Sequence, residues 1–359
     1  MTRLAIIAPH FPEYALRYAR AMSNHRDVLV CLDEAQLANE YEGRDVPRDR
    51  VRKLAPMRFK TPLDLLKLLL LIVRYRPSVI HLQEAAGPRR GFFSACVAVM
   101  MKPFAQIVLT VHDPVHHAGR DAADADRTAW VRNFVRRWAD VVVVHGAYCS
   151  RAYQALGLPG RQTLVTSEHG LILQPPEVSL DRSPTLKLYF FGRMEVYKGV
   201  EVLLTAAELL HEDGLDFELS IAGRGPELDR LQDRFRRLPE VRIFNGFVPP
   251  TDIIASIQGA ECVVLPYLSA TQSGVLAAAF AGWRYVIASD TGGLADIVDH
   301  GRNGILVPPG DPRALADAIR ALAADPALRA RLREGARATA SGKLNWDRIA
   351  AELHQVLSG

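Results

Sequence analysis

Short unbroken runs of Val, Ile and Leu alternate with helix-period segments along this chain, and that alternation leaves few folds open. In the first half LAIIAP is followed by YALRYARAM, DVLVCL, LDLLKLLLLIV, SVIHL, GFFSACVAVMM, QIVLTVHD, VRNFVRRWA and DVVVVH. A strand that is apolar on both sides must be covered on both, and the intervening helices are the cover. The pattern predicts a parallel sheet wrapped by helices. A stretch rich in Pro and Ser, LQPPEVSLDRSP, interrupts it. A second alternation begins at LKLYFFG and continues through GVEVLLTAAELL, DFELSIAG, VRIFNGF, ECVVLPY, SGVLAAAFAG, YVIAS and GILVPP. Asp311 and Pro312 then suit the N-cap and first turn of a further helix. The chain's 359 residues are enough for two cores. The expected architecture is α/β, with a Rossmann-like domain over 1-174, a linker at 175-186, a second such domain over 187-340, and a closing helix in 341-359 that packs back towards the first.

Binding loops in parallel sheets lie at the C-terminal strand ends. The stretch Tyr189 to Leu204, YFFGRMEVYKGVEVLL, reads as a strand, a loop and a helix, with Arg193 and Lys198 in the loop. Gly192 and Gly199 in the same stretch let backbone approach a ligand. Two cations just ahead of a helix N-terminus suit a phosphate, because free N–H groups and side-chain charge converge there. The spacing is neither that of a Walker loop nor that of the dinucleotide fingerprint.

FGRMEVYKG is followed in order by IAGRGPELDRL, VRIFNGFV, ECVVLPY, VIASDTGGLADIV, GRNGILVPPGDP and NWDRIAAELHQVL. This series resembles the retaining, nucleotide-sugar-dependent glycosyltransferases of group 1 (family 4). Their fold is GT-B, two facing Rossmann-like domains with an interdomain cleft. The resemblance implies that Arg193 and Lys198 grip the donor diphosphate. It also implies that His112, at the end of IVLTVHD, meets the donor sugar. The base would lie near Gly223-Arg224-Gly225 and Asn245-Gly246-Phe247-Val248, with Gly192, Gly225 and Phe247 among the donor contacts. No side-chain nucleophile, cofactor or metal is expected. The partners are a nucleotide-sugar donor and a glycan or lipid-linked acceptor, as in envelope or exopolysaccharide assembly.

One familiar segment is missing. An E-x7-E pair usually follows the LP strand, and an ungapped superposition puts Ala270 and Ala278 at its positions. In its place stands Thr271-Gln272-Ser273-Gly274, polar and set at a helix start. Its backbone N–H groups and neutral side chains are candidates to hold the donor. The first loop, Pro9 to Glu13, lacks the Gly-Gly pair of many relatives, so the acceptor side rests on His10, His116 and His117 alone. Two other readings stay open. One is a catalytically silent scaffold. The other is a sugar-nucleotide 2-epimerase, for which Glu168 and His169 are the one candidate proton-transfer pair.

Charge adds one more candidate. Residues 1-180 hold 24 Lys and Arg against 17 Asp and Glu, and the remainder 20 against 23. The excess is densest at Arg48, Arg50, Arg52, Lys53, Arg58 and Lys60, just ahead of the apolar run Leu63 to Val73. That run holds Asp64 and Lys67 and is too short to span a bilayer. It reads either as a buried helix or, with the cations, as a contact for an anionic membrane surface. No nucleic-acid-binding pattern is present. Four scattered cysteines and an N-terminus without a signal-peptide pattern fit a cytoplasmic enzyme, with peripheral membrane association as the extension.

Overall fold

The computed structural model describes the chain apart from residues 1, 43–44, 47–50, 52, 86, 116–119, 159, 176, 179–184 and 359, and the side chains of 120–128. It divides into two compact units, Met1–Gly170 with Asn345–Gly359, and Leu171–Leu344. The divisions fall at 170 and 344, where the sequence suggested 174 and 340.

Unit 1 runs β1 (Arg3–Ala8), α1 (Pro12–Met22), β2 (Asp27–Asp33), α2 (Glu34–Glu40), β3 (Lys53–Met57), α3 (Pro62–Tyr75) and β4 (Val79–Gln83). It continues with α4 (Pro88–Met101), β5 (Gln106–Val111), α5 (Arg120–Trp138), β6 (Val141–His145), α6 (Gly146–Ala155) and β7 (Thr163–Ser167). All neighbouring strands are parallel, in the order β3-β2-β1-β4-β5-β6-β7. The alternate residues of each strand serve two apolar clusters, one on each side of the sheet.

Unit 2 runs β8 (Leu186–Arg193), α7 (Val200–Glu212), β9 (Phe217–Arg224), α8 (Pro226–Phe235), β10 (Val241–Asn245), α9 (Pro250–Gly259) and β11 (Cys262–Leu265). Then come α10 (Gly274–Ala281), β12 (Tyr285–Ser289), α11 (Leu294–Ile297), β13 (Gly304–Val307), α12 (Pro312–Ala324) and α13 (Pro326–Ser341). Its parallel order is β10-β9-β8-β11-β12-β13. The last helix, α14 (Trp346–Val356), buries Trp346, Ile349 and Leu353 with α1 in a unit 1 cluster. In each sheet the strand order reverses beside the first strand, between β1 and β4 and between β8 and β11. A crevice opens at the C-terminal ends of such a strand pair. This places the loop after β8 and the loop after β11 on the two sides of one switch point.

Candidate donor-phosphate site

β8 and β9 run in register to their ends, pairing Gly192 with Gly223 and Arg193 with Arg224. After Arg193 the chain makes a 3-10 turn, Val196–Lys198, and enters α7 through Gly199. Gly199 has φ 68°, and a Cβ there would lie 1.8 Å from the Pro266 carbonyl oxygen, so only glycine lets this turn rest on the loop after β11. The Leu268 N–H donates to the Tyr197 carbonyl at 2.8 Å and locks the two loops together.

That contact sets the position of Lys198. Its side chain is 8% exposed, and its ammonium lies 3.8 Å from the centre of the Tyr267 ring and 5.2 Å from that of Tyr197. Among the described residues no carboxylate pairs with it. Burial, and secondarily the charge of Arg193, pull its pKa from 10.5 down to about 7. Arg193 is exposed and donates to the Tyr197 hydroxyl at 3.3 Å. Two cations therefore lie on one loop, and burial disfavours the charged form of one of them. An anion that arrived here would restore the charge of Lys198.

The polar loop after β11 borders the same switch point. Ser273 caps α10, its hydroxyl accepting from the Leu276 N–H at 3.3 Å, so this side chain is partly committed to the helix. Thr271 is buried. The Oε1 of Gln272 is buried without a hydrogen-bond partner, a cost that a bound donor group would remove. Gly192 adjoins the first turn of α10, since a Cβ on it would meet Val275 at 3.7 Å. Gly225 directly precedes α8, and Phe247 is exposed after Gly246, whose N–H donates to the Gly223 carbonyl at 3.0 Å. The expected donor residues of unit 2 thus gather at the ends of β8, β9, β10 and β11.

Sequence reasoning missed Tyr197, Tyr267 and the Gly292-Gly293 turn after β12. A Cβ on Gly293 would lie 1.9 Å from the Thr271 carbonyl oxygen, so that turn rests directly against the polar loop. Tyr267 follows the LP of ECVVLPY directly, and an aromatic residue at a strand end beside a switch point was the available signal.

In unit 1 His112 follows β5 and is 2% exposed. Its Nε2 lies 2.8 Å from Gln83 Oε1 at the end of β4, while its Nδ1 is buried without a partner. The ring packs 4.5 Å from Phe11, 4.8 Å from Tyr14 and 5.0 Å from His145. Burial first, then His169, His81 and His10, hold its pKa well below the ordinary range, so the imidazole is neutral. Phe11 takes the left-handed conformation (φ 55°) where a glycine would be expected. His10 Nε2 accepts from Arg90 at 3.2 Å, and Arg90 also pairs with Asp33. His169 is likewise neutral: burial lowers its pKa to about 4, and its Nδ1 lies 3.1 Å from the Gly170 carbonyl. His116 and His117 lie outside the described residues, as do Arg48, Arg50 and Arg52. Among the described residues no three His, Cys, Asp or Glu side chains gather as a metal site, and no helix is long and apolar enough to cross a membrane.

Comparison with known proteins adds a family. A model described as "Glycosyl transferases group 1" matches residues 185–325, and one described as "Glycosyltransferase Family 4" matches residues 13–188. A glycogen synthase of Mycobacterium tuberculosis is 26% identical over 291 residues, covering 79% of this chain and 69% of that one. A phosphatidyl-myo-inositol mannosyltransferase of Mycobacterium leprae is 34% identical over 188 residues, covering 50% of each chain. The crystal structure of Anabaena HepE in complex with UDP-glucose has a TM-score of 0.73 at 17% identity, over the full length of both chains. That last likeness is one of fold.

Proposed function

We propose that this chain, which belongs to the group 1 glycosyltransferases of GT-B fold, transfers a sugar from a nucleotide-diphosphate sugar with retention of anomeric configuration. The observation that carries the donor assignment is Lys198, a buried ammonium over the Tyr267 ring with no carboxylate partner among the described residues. Such a cation calls for an anion, and a diphosphate at the helix start supplies one. Arg193 and Lys198 oppose the charge that grows on the departing diphosphate, so they contribute more in the transition state than in the ground state. Gln272 turns its unpaired Oε1 to a donor hydroxyl, and the N–H groups of Ser273 and Gly274 serve a phosphate. These neutral groups replace the two carboxylates usual in the family. His112 contributes a neutral imidazole that hydrogen-bonds a sugar hydroxyl. No protein nucleophile takes part. The departing phosphate accepts the acceptor's proton on the face it leaves, which accounts for retention.

The acceptor in this reading is a lipid-linked or polysaccharide precursor, and an anionic membrane surface is the second partner. The similarity to a mannosyltransferase whose name carries a phosphatidyl-inositol acceptor supports the lipid. The test is a thermal-shift screen with UDP-, GDP- and ADP-sugars, followed by NMR of the product anomer. A matched donor raises the midpoint by mass action. No shift with any donor would favour a silent scaffold, and an inverted anomer would refute the mechanism.

A further inference from the structure

The helices on one side of the unit 1 sheet are apolar twice over. α3 buries Leu68, Ile72 and Tyr75 and exposes Leu63, Leu66, Leu70 and Val73, at steps of three and four residues. The sequence left open a buried helix here, and α3 is buried on one face only. α4 buries Phe93, Val97 and Ala98 and exposes Phe92 and Met100, and Phe104 in the turn after it is 75% exposed. α5 buries Val135 and exposes Trp130 (70%) and Phe134. The buried stripes of all three helices enter one cluster, so their outer stripes lie on one side of the unit. Of the 19 large hydrophobic residues exposed among the described ones, 11 lie on this layer, and a soluble monomer does not ordinarily gather them so.

Charge identifies the occupant. Lys60, Lys67, Arg74, Arg76, Arg89 and Arg137 are exposed on these helices and their ends. The carboxylates described there are occupied: Asp64 caps α3 through Thr61, and Asp140 pairs with Lys102 at 2.8 Å. Asp121, Asp124 and Asp126 stand earlier in α5, with side chains outside the description. Apolar and aromatic stripes with a rim in which cations outnumber the described carboxylates match an anionic bilayer surface, where aromatic rings sit at the acyl boundary and cations at the headgroups.

We propose that the outer surface of α3, α4 and the C-terminal half of α5 docks on an anionic membrane. The idea deepens the lipid-acceptor reading and rests on it for its purpose, although binding is measurable without it. The full-length protein is floated with phosphatidylcholine vesicles with and without phosphatidylglycerol, while donor hydrolysis is followed in parallel. Flotation is expected with anionic vesicles only, falling with salt. Lys67→Gln with Arg74→Gln and Arg76→Gln should weaken partitioning on the order of 100-fold. Leu70→Ser with Phe104→Ser should abolish both flotation and the quenching of Trp130 emission by brominated acyl chains. Donor hydrolysis should stay unchanged in both variants. The charge variant decides the matter if the apolar one misfolds. Equal binding to neutral and anionic vesicles, or binding to neither, overturns the proposal. So does a dimer in solution that the apolar substitutions dissociate, since the face would then pair two copies. Loss of hydrolysis by the unmodified chain, with flotation intact, counts against the transferase reading and not against this one.

Discussion

Raising the pH from 7 to 9 should weaken donor binding to this chain, and Lys198→Arg should remove the effect. Lys198 sits in the free site with its pKa lowered from 10.5 to about 7, chiefly by burial. A diphosphate beside it restores the charged form, so the donor binds only the protonated fraction of the free protein. Affinity then falls by the factor by which that fraction falls, about 50-fold between pH 7 and pH 9. The sign for the free protein is opposite. Between pH 7 and 10.5 the unfolded chain holds more protons at this residue than the folded one, so the free protein gains stability from Lys198 as pH rises. Calorimetric titration with UDP-glucose, and with GDP-mannose and ADP-glucose in parallel, reads both the affinity and the protons taken up. The diphosphate group does not titrate in this range and arginine stays protonated throughout; ADP-glucose, whose adenine is also silent, controls for the uracil and guanine N–H groups that begin to ionise towards pH 9. An affinity that does not change between pH 7 and pH 9, or the same slope in the arginine variant, refutes the argument.

Other outcomes follow from the same geometry. Gln272→Ala should cost about 1–3 kcal/mol of transition-state stabilisation in steady-state kinetics, and Gly274→Val more, because a Cβ there already meets Ile172 at 3.0 Å. Restoring carboxylates by Ala270→Glu or Ala278→Glu should lower the melting temperature without raising turnover, since both positions are almost fully buried. Acid should unfold unit 1 early. His81 and His112 are buried neutral, so stability present above pH 6.5 is lost as pH falls; for His81, lowered to about 3, the loss between pH 7 and pH 5 is about 2 kcal/mol, and His112 adds to it in the same direction. Denaturant midpoints at the two pH values check this. Because Arg193 and Lys198 supply the charge at the diphosphate, activity should change little with added Mg²⁺ or EDTA.

The two parallel sheets were legible because each strand that is apolar on both sides announces its cover. β3 was not, since Lys53 and Pro56 interrupt it, and it forms an edge strand where such residues are tolerated. The cations Arg193 and Lys198 were legible as a local pattern. The state of Lys198 was not, because Tyr267 comes 69 positions later and reaches it only through the switch point. The outer stripes of α4 and α5 were hidden for a similar reason. Periodicity marks apolar residues, but which of two apolar faces the sheet covers depends on the neighbours.

The most direct test of the donor site is steady-state turnover of the matched nucleotide-sugar by Arg193→Ala and Lys198→Ala. Each should lower kcat at least about 100-fold with the fold intact, as the loss of one electrostatic partner in the transition state does. Near-normal turnover in both variants would contradict it.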